Sequence, residues 1–317
     1  MKSGPEGAIT AGYHGMAALD GAIAVLLLVA IIQDVIAYGA PAPNANAGSR
    51  HSRRCAICAQ SMILRMEPCV IGLVLTMHTH DPERLMQSVR ESGEAVRWYI
   101  FLHKHNPALE DKLKSFAAAN DAQLYLYREN RGLSRSWNEG IHQSMQDGCE
   151  LTFVLNDDLH FVPGGFDAFV SHLREAKGWS LGFINGLEIG GASAGQVIVQ
   201  GMACFAISHV CTDTVGYFDE TFVPAYYEDI DYLRRMRLAG CQQTFAPGVL
   251  GEHLRMTTLG LNPDLQASMS DWHSRNEVYY TRKWGPLHHE YYDTPFGDPS
   301  LGLCIEWSSR ADPYPGR

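Results

Sequence analysis

Two acidic clusters lie about seventy residues apart in this chain. Asn156-Asp157-Asp158 closes the apolar run Leu151-Thr152-Phe153-Val154-Leu155, and Glu228-Asp229-Ile230-Asp231 follows Tyr226-Tyr227. A carboxylate at the end of a strand offers the hard oxygen ligand that a divalent cation takes. An acid on a second element can remove a proton nearby. One metal site and one base make a catalytic layout, suited to chemistry on a phosphate-bearing donor. Simpler roles compete with it. Asp158 can cap its turn and Asn156 can form an Asx turn, while Glu228 and Asp229 can serve as first-turn acids on a helix dipole. That last reading leaves Tyr226 and Tyr227 unexplained. Asp231 stands at helical spacing from Arg234 and Arg235 and reads as their ion-pair partner.

The elements that must carry these groups can be read from periodicity. Cys69 to Thr76 is a dense aliphatic run, as expected of a buried parallel strand. Asp81-Pro82-Glu83 opens a helix that runs to Arg90. Val96 to Leu102 gives a second strand, Pro107 to Asn120 a second helix, Gln123 to Tyr127 a third strand, and Leu133 to Gln146 a third helix ended near Gly148. Leu151 to Leu155 is the fourth strand. This alternation predicts βαβ units and a parallel sheet, whose ligands bind beyond the carboxyl ends of the strands. Asn156, Asp157 and Asp158 sit at such an end. Further on, Ser180 to Ile184 and Val197 to Ser208 read as strands in a mixed region, separated by a glycine-rich loop from Gly190 to Gly195. Helices are expected over Glu228 to Ala239 and Ser270 to Trp284.

Over roughly residues 69–285, four ordered blocks resemble the family-2-type inverting glycosyltransferases of GT-A fold, close to rhamnosyl- and galactofuranosyltransferases. Asn130-Arg131-Gly132 with Asn138-Glu139-Gly140 is similar to that family's paired N-x-G segment. Asn156-Asp157-Asp158 resembles its degenerate D-x-D, Gly216 to Phe222 its G-x-F-D-E-x-F, and Glu228 to Arg234 its E-D-x-D block. Each block alone is a weak signal, and their order makes the case. The resemblance implies an α/β GT-A domain that moves a sugar from a nucleotide-diphosphate donor to a glycan, lipid-linked or other hydroxyl, with inversion, as in polysaccharide biosynthesis. It implies Asp158 and His253 as ligands of Mn2+ or Mg2+, a nitrogen–oxygen mix more comfortable for manganese. It implies Thr76, His78, His103, Asn130, Arg135, Asn138, Asn156 and Asp157 around the donor, and Gly201, Met202, Tyr226 and Tyr227 on the sugar or acceptor side. Within Glu228-Asp229 the resemblance assigns the base to Asp229; spacing does not separate the two.

The chain departs from the family where Thr76-Met77-His78-Thr79-His80 and Phe101-Leu102-His103-Lys104-His105-Asn106 end the first two strands. His-x-His places both rings on one face of an extended segment. The pairs either reshape the nucleotide pocket or bind a metal. Two rivals remain: a nucleotidyltransferase, disfavoured because Thr76 to Glu83 has no glycine-rich, lysine-bearing loop, and a nucleotide-sugar- or glycan-binding protein without turnover, disfavoured by the intact Asp158 and Asp229.

The bulk properties set limits. The chain has 317 residues and a formal charge of −10, which argues against general nucleic-acid binding. Its 46% apolar and 19% charged residues are ordinary for a globular protein. Eight scattered cysteines show no disulfide framework and read as reduced thiols of a cytoplasmic protein. The lone Cys55–Cys58 pair is weak evidence for zinc. The apolar run Gly21 to Ile32 falls short of the roughly 20 residues that span a bilayer. Residues 1–64 are therefore expected to be an extension and linker with at most peripheral membrane contact, residues 65–287 the catalytic domain, and 288–317 a tail.

Overall fold

A computed structural model describes residues 70–77, 80–104, 106–189, 193–254 and 263–317. The expectations for residues 1–64, for Cys55 and Cys58, for His78 and His105, and for Gly190 lie outside those residues. Met66 to Arg317 forms one compact unit, so residues 288–317, expected to be a tail, belong to the same body as the residues before them. The backbone explains why. Tyr217 donates to the Ile305 carbonyl at 2.9 Å, Ile305 to Val215 at 3.1 Å, and Glu220 to Arg310 at 3.0 Å. Among the described residues no helix is long and apolar enough to cross a membrane.

The first half alternates as the periodicity predicts: β1 (Ile71–Met77), α1 (Glu83–Arg90), β2 (Val96–His103), α2 (Pro107–Ala119), β3 (Ala122–Tyr127), α3 (Leu133–Gln146) and β4 (Leu151–Asn156). The second half holds β5 (Leu159–Phe161), α4 (Gly165–Glu175), β6 (Leu181–Glu188), β7 (Val197–Val199), a 3-10 turn Gly201–Ala203, β8 (Cys204–Ile207), α5 (His209–Thr214), α6 (Glu228–Leu238), β9 (Gln243–His253) and α7 (Pro263–Trp284). One mixed sheet joins them in the order β3-β2-β1-β4-β8-β6-β9-β5, with β7 on β6. β1 to β4 pair in parallel, and β8 runs antiparallel between β4 and β6. Two reversals restore the direction, so β6 and its parallel neighbour β9 point the same way as β4. The carboxyl ends of β1, β2, β3, β4, β6 and β9 therefore share one edge.

Every residue of β1 is buried, and its alternate side chains feed two separate cores. Leu73 and Leu75 join Ile100, Phe153 and Phe169 on one face, while Val74 meets Phe101, Trp137 and Phe205 on the other. A strand covered on both faces reads as a continuous apolar run, which is why the sequence predicts β1 well.

Three differences from the sequence reading stand out. The expected strand Val197 to Ser208 is broken by the 3-10 turn at Gly201–Ala203. β9 was hidden by Pro247 and Gly248, which fall where its register with β6 slips between Phe183–Phe245 and Asn185–Val249. A proline and a glycine are tolerated in a strand at such an irregularity. The last helix begins at Pro263 rather than Ser270.

Candidate active site at the carboxyl edge of the sheet

The chain leaves β4 through Asn156, Asp157 and Asp158, with both aspartates almost wholly buried. A buried carboxylate needs partners. Asp158 Oδ1 stands 3.2 Å from Nε2 of His253, the last residue of β9. The opposite ring nitrogen, Nδ1, lies 3.1 Å from Oε1 of Glu188, the last residue of β6. Parallel pairing of Glu188 with His253 sets this contact, and Leu159 pairs with His253 from the other side, just after Asp158. Three strand ends thus build a carboxylate–imidazole–carboxylate chain. Burial alone would lower the His253 pKa, but hydrogen bonds to Asp158 and Glu188 and their charges outweigh it and raise the pKa to about 9.

Glu188 was missed by the sequence reading. It carries no motif, and only the pairing of β6 with β9 reveals it. Its Oε1 takes the Nδ1 side of the ring, which leaves Nε2 facing Asp158. Ligating histidines commonly give their second nitrogen to a carboxylate in this way. Asp158 Oδ1 and His253 Nε2 are the pair that could serve as two ligands of one divalent cation. Because Glu188 sits on the far side of the ring, the three groups do not face one point. Among the described residues no three His, Cys, Asp or Glu side chains form a complete protein cage for a metal.

The other predicted residues occupy the same edge in different ways. Thr76, the penultimate residue of β1, pairs with Asn156, and its buried hydroxyl is unpartnered among the described residues. Asn130 follows β3, and its side-chain oxygen accepts from the Gly132 amide at 2.9 Å. Arg135 projects from the first turn of α3, exposed, with Glu220 at 3.9 Å. Gly201 and Met202 precede β8 where Cys204 pairs with Leu155.

Two of the residues expected at the donor turn inward. His103 is buried, with Nδ1 at 3.0 Å from Asn130 Oδ1 and Nε2 at 2.6 Å from Ser136 Oγ. Both ring nitrogens are committed, so His103 positions Asn130 and α3 rather than offering a nitrogen to a nucleotide. Asn138 is fully buried. Its amide donates to Phe218 O at 2.9 Å and to Glu220 Oε1 at 3.1 Å, and its oxygen accepts from the Phe218 amide at 2.8 Å. Asn138 therefore pins the Gly216–Phe222 block onto α3, and direct donor contact by its side chain is corrected to a structural role.

The second acidic cluster opens α6. Tyr226 and Tyr227 precede it with φ of 77° and 73°, a left-handed conformation uncommon for bulky residues. Asn276 of α7 holds the backbone there by donating to the carbonyls of Ala225 at 2.9 Å and Tyr226 at 3.0 Å. The Pro224 carbonyl accepts from the Leu133 amide at 2.7 Å, which ties this segment to the start of α3, just past the carboxyl end of β3. The segment that leads into Asp229 is thus anchored beside the carboxyl end of β3, on the edge from which Asp158 leaves β4.

Glu228 and Asp229 differ in environment. Glu228 is buried, its Oε2 has no partner among the described residues, and burial followed by the neighbouring Asp229 charge pushes its pKa well above the usual carboxylate range. Burial also raises Asp229, but the Ile230 amide donates to its Oδ1 at 2.8 Å and favours the charged form. Asp231 is a structural acid. It pairs with Arg235 at 2.9 Å and Lys283 at 2.6 Å, and accepts from the Trp284 indole at 2.8 Å.

No protein-family model matches the sequence. A galactofuranosyl glycosyltransferase of Leishmania donovani is 52% identical over 184 residues, covering 40% of this chain and 42% of that protein. The chain thus spans less than half the length of that relative. Among solved structures, S. aureus TarS in complex with UDP superposes with a TM-score of 0.47 at 10% identity, over 58% of this chain and 60% of that one. The mannosyltransferase PcManGT from Pyrobaculum calidifontis, in complex with GDP-Man and Mn2+, superposes with a TM-score of 0.42 at 10% identity, over 61% of this chain and 59% of that one. At scores this low the architecture is read from this chain's own strands.

Proposed function

We propose that this chain is an inverting glycosyltransferase of GT-A type that takes a nucleotide-diphosphate sugar as donor. The observation that carries the reading is the buried Glu188–His253–Asp158 chain at the carboxyl edge, the place where open α/β sheets bind ligands. The name of the Leishmania donovani relative makes a galactofuranosyl donor the first to test.

In this reading Asp158 and His253 hold a divalent cation, manganese or magnesium, against the donor diphosphate, and Glu188 fixes the imidazole. The bound ion supplies neutralisation of the charge that develops on the departing diphosphate. Thr76, Asn130, Arg135, Asn156 and Asp157 line the donor, while Gly201, Met202, Tyr226 and Tyr227 face sugar or acceptor. Asp229 accepts the proton of an acceptor hydroxyl as that oxygen bonds to the anomeric carbon. The bond from that carbon to the diphosphate oxygen breaks on the opposite face, and the configuration inverts. Burial and the neighbouring Asp229 charge favour the protonated form of Glu228, which makes it the weaker candidate for the base. The acceptor is a glycan, a lipid-linked sugar or another hydroxyl.

The test is hydrolysis and transfer of UDP- and GDP-linked sugars with and without Mn2+. Metal-dependent turnover that falls at least about 100-fold in Asp158→Ala supports the reading. Turnover that ignores both the metal and Asp158→Ala overturns it.

A further inference from the structure

Gln200 lies beside this site, four residues before β8, and no motif points to it. Its side chain is 94% buried by its 6% exposure, yet neither Oε1 nor Nε2 has a hydrogen-bond partner among the described residues. Burying a carboxamide with both ends unpaired is costly. The backbone fixes where it points. The Gln200 amide donates to the Ile184 carbonyl of β6 at 2.9 Å, and its carboxamide lies over Gly186 of the same strand. A Cβ added at Gly186 would stand 1.9 Å from Gln200 Nε2, so the glycine is the seat of the amide. Glu188 is two residues further along, on the same strand face, at a spacing of about 7 Å. Its Oε2 is likewise buried and unpartnered among the described residues, while its Oε1 holds His253. Three orphaned polar atoms thus lie along the last residues of β6, the strand whose end meets His253.

We infer that Gln200 reads hydroxyl groups of the transferred sugar and sets donor-sugar specificity, an inference that rests on the donor site proposed above. A free amide N–H and a free amide oxygen together match sugar hydroxyls, each of which both donates and accepts. A diphosphate only accepts and would leave Oε1 unpaired. Gly186 lies two residues before Glu188, the partner of His253, so a sugar attached to a diphosphate at that histidine would lie near Gln200. Sites built to hydrogen-bond a substrate hydroxyl discriminate strongly, because a wrong sugar leaves the buried groups unmatched.

The experiment compares wild type, Gln200→Leu and Gly186→Ala by calorimetric titration in Mn2+. The probes are UDP, GDP and dTDP, each alone and as a panel of hexose conjugates including galactofuranose. Melting temperature is followed in parallel. Both variants are expected to bind the free nucleotide diphosphate within about twofold of wild type. They are expected to lose about 10- to 100-fold in affinity for the preferred nucleotide sugar and to flatten the ranking across the panel. Donor hydrolysis without acceptor should fall in the same proportion, which separates donor reading from acceptor reading. Gln200→Leu should melt no lower than wild type, since it removes an unpaired buried amide. If nucleotide-sugar affinity and ranking stay unchanged while the melting temperature falls, Gln200 is a structural residue and the inference is overturned. If only acceptor affinity changes, assignment to the donor sugar is overturned. If wild type binds none of the nucleotides, the donor-site reading fails and takes this inference with it.

Discussion

At the residue scale, the division of labour between Glu228 and Asp229 follows from their surroundings. Both carboxyls are raised by burial; Glu228 is raised further by the neighbouring Asp229 charge, whereas the Ile230 amide donates to Asp229 Oδ1 at 2.8 Å and favours its charged form. A base must be ionised to act, so a raised pKa moves the acid limb of kcat/KM upward. The pH–rate profile should fall as pH drops through a value above the model-peptide range of about 4. Glu228→Gln should keep activity and leave that limb in place, because a protonated Glu228 and a glutamine carry the same charge, and Asp229→Asn should remove turnover. The same shifts act on stability. A carboxyl whose folded pKa is raised contributes most below its unfolded pKa and loses that contribution as pH rises through the folded value. Glu228→Gln should therefore raise the melting temperature at pH 8 relative to wild type and give no gain at pH 4. Glu188 is a positioning residue on the far side of His253. Glu188→Gln is expected to weaken Mn2+ affinity about 10- to 100-fold with little change in nucleotide affinity measured without metal, read by titration with EPR detection.

At the element scale, much of the first half was legible because β1, β2 and β4 are largely buried on both faces and the helices are opened by proline, glycine or a capping asparagine. Asn106, for example, accepts from the Leu109 amide at 3.3 Å immediately before Pro107, a capped and proline-opened helix. Local signals vanish where tertiary pairing makes the element. β9 runs through Pro247 and Gly248, and its worth to the site, the pairing of His253 with Glu188, depends on a strand more than sixty residues away. The motif residues split the same way. Asp158 and His253 meet at 3.2 Å, whereas Asn138 and His103 hold the framework. Gly140 belongs to that framework too: a Cβ there would fall 2.4 Å from Val74 Cγ1 and 2.9 Å from Phe101. Its place in the N-x-G pattern reflects the approach of α3 to β1 and β2. Gly140→Ala should cost about 1–3 kcal/mol by overpacking, measured by denaturant titration. Asn276→Ala, which frees the Ala225 and Tyr226 carbonyls, should lower turnover more than nucleotide affinity, because it loosens the strained turn before Asp229.

At the scale of the whole molecule, a buried charge network ties the helices behind the site to each other. Lys283 of α7 pairs with Asp219 at 2.8 Å and with Asp231 at 2.6 Å, and Asp231 pairs in turn with Arg235, all without solvent exposure. Asp219 also accepts from the Tyr279 hydroxyl at 3.0 Å. The G-x-F-D-E block, α6 and α7 are held together through these groups. Lys283→Met leaves the two acids one cation short and should cost about 3–5 kcal/mol, seen as a lower melting temperature.

The central claim is that Asp158 and Asp229 divide one reaction between them, the first serving the metal-bound diphosphate and the second the incoming hydroxyl. Calorimetric titration of the nucleotide sugar in Mn2+, run on Asp158→Ala and Asp229→Asn and paired with turnover on the same samples, separates the roles. Asp158→Ala should lose metal-dependent binding by 100-fold or more, on the order of 3 kcal/mol. Asp229→Asn should bind the donor as wild type does and fail to transfer it. Metal-dependent binding that survives in Asp158→Ala, or transfer that survives in Asp229→Asn, would contradict the account.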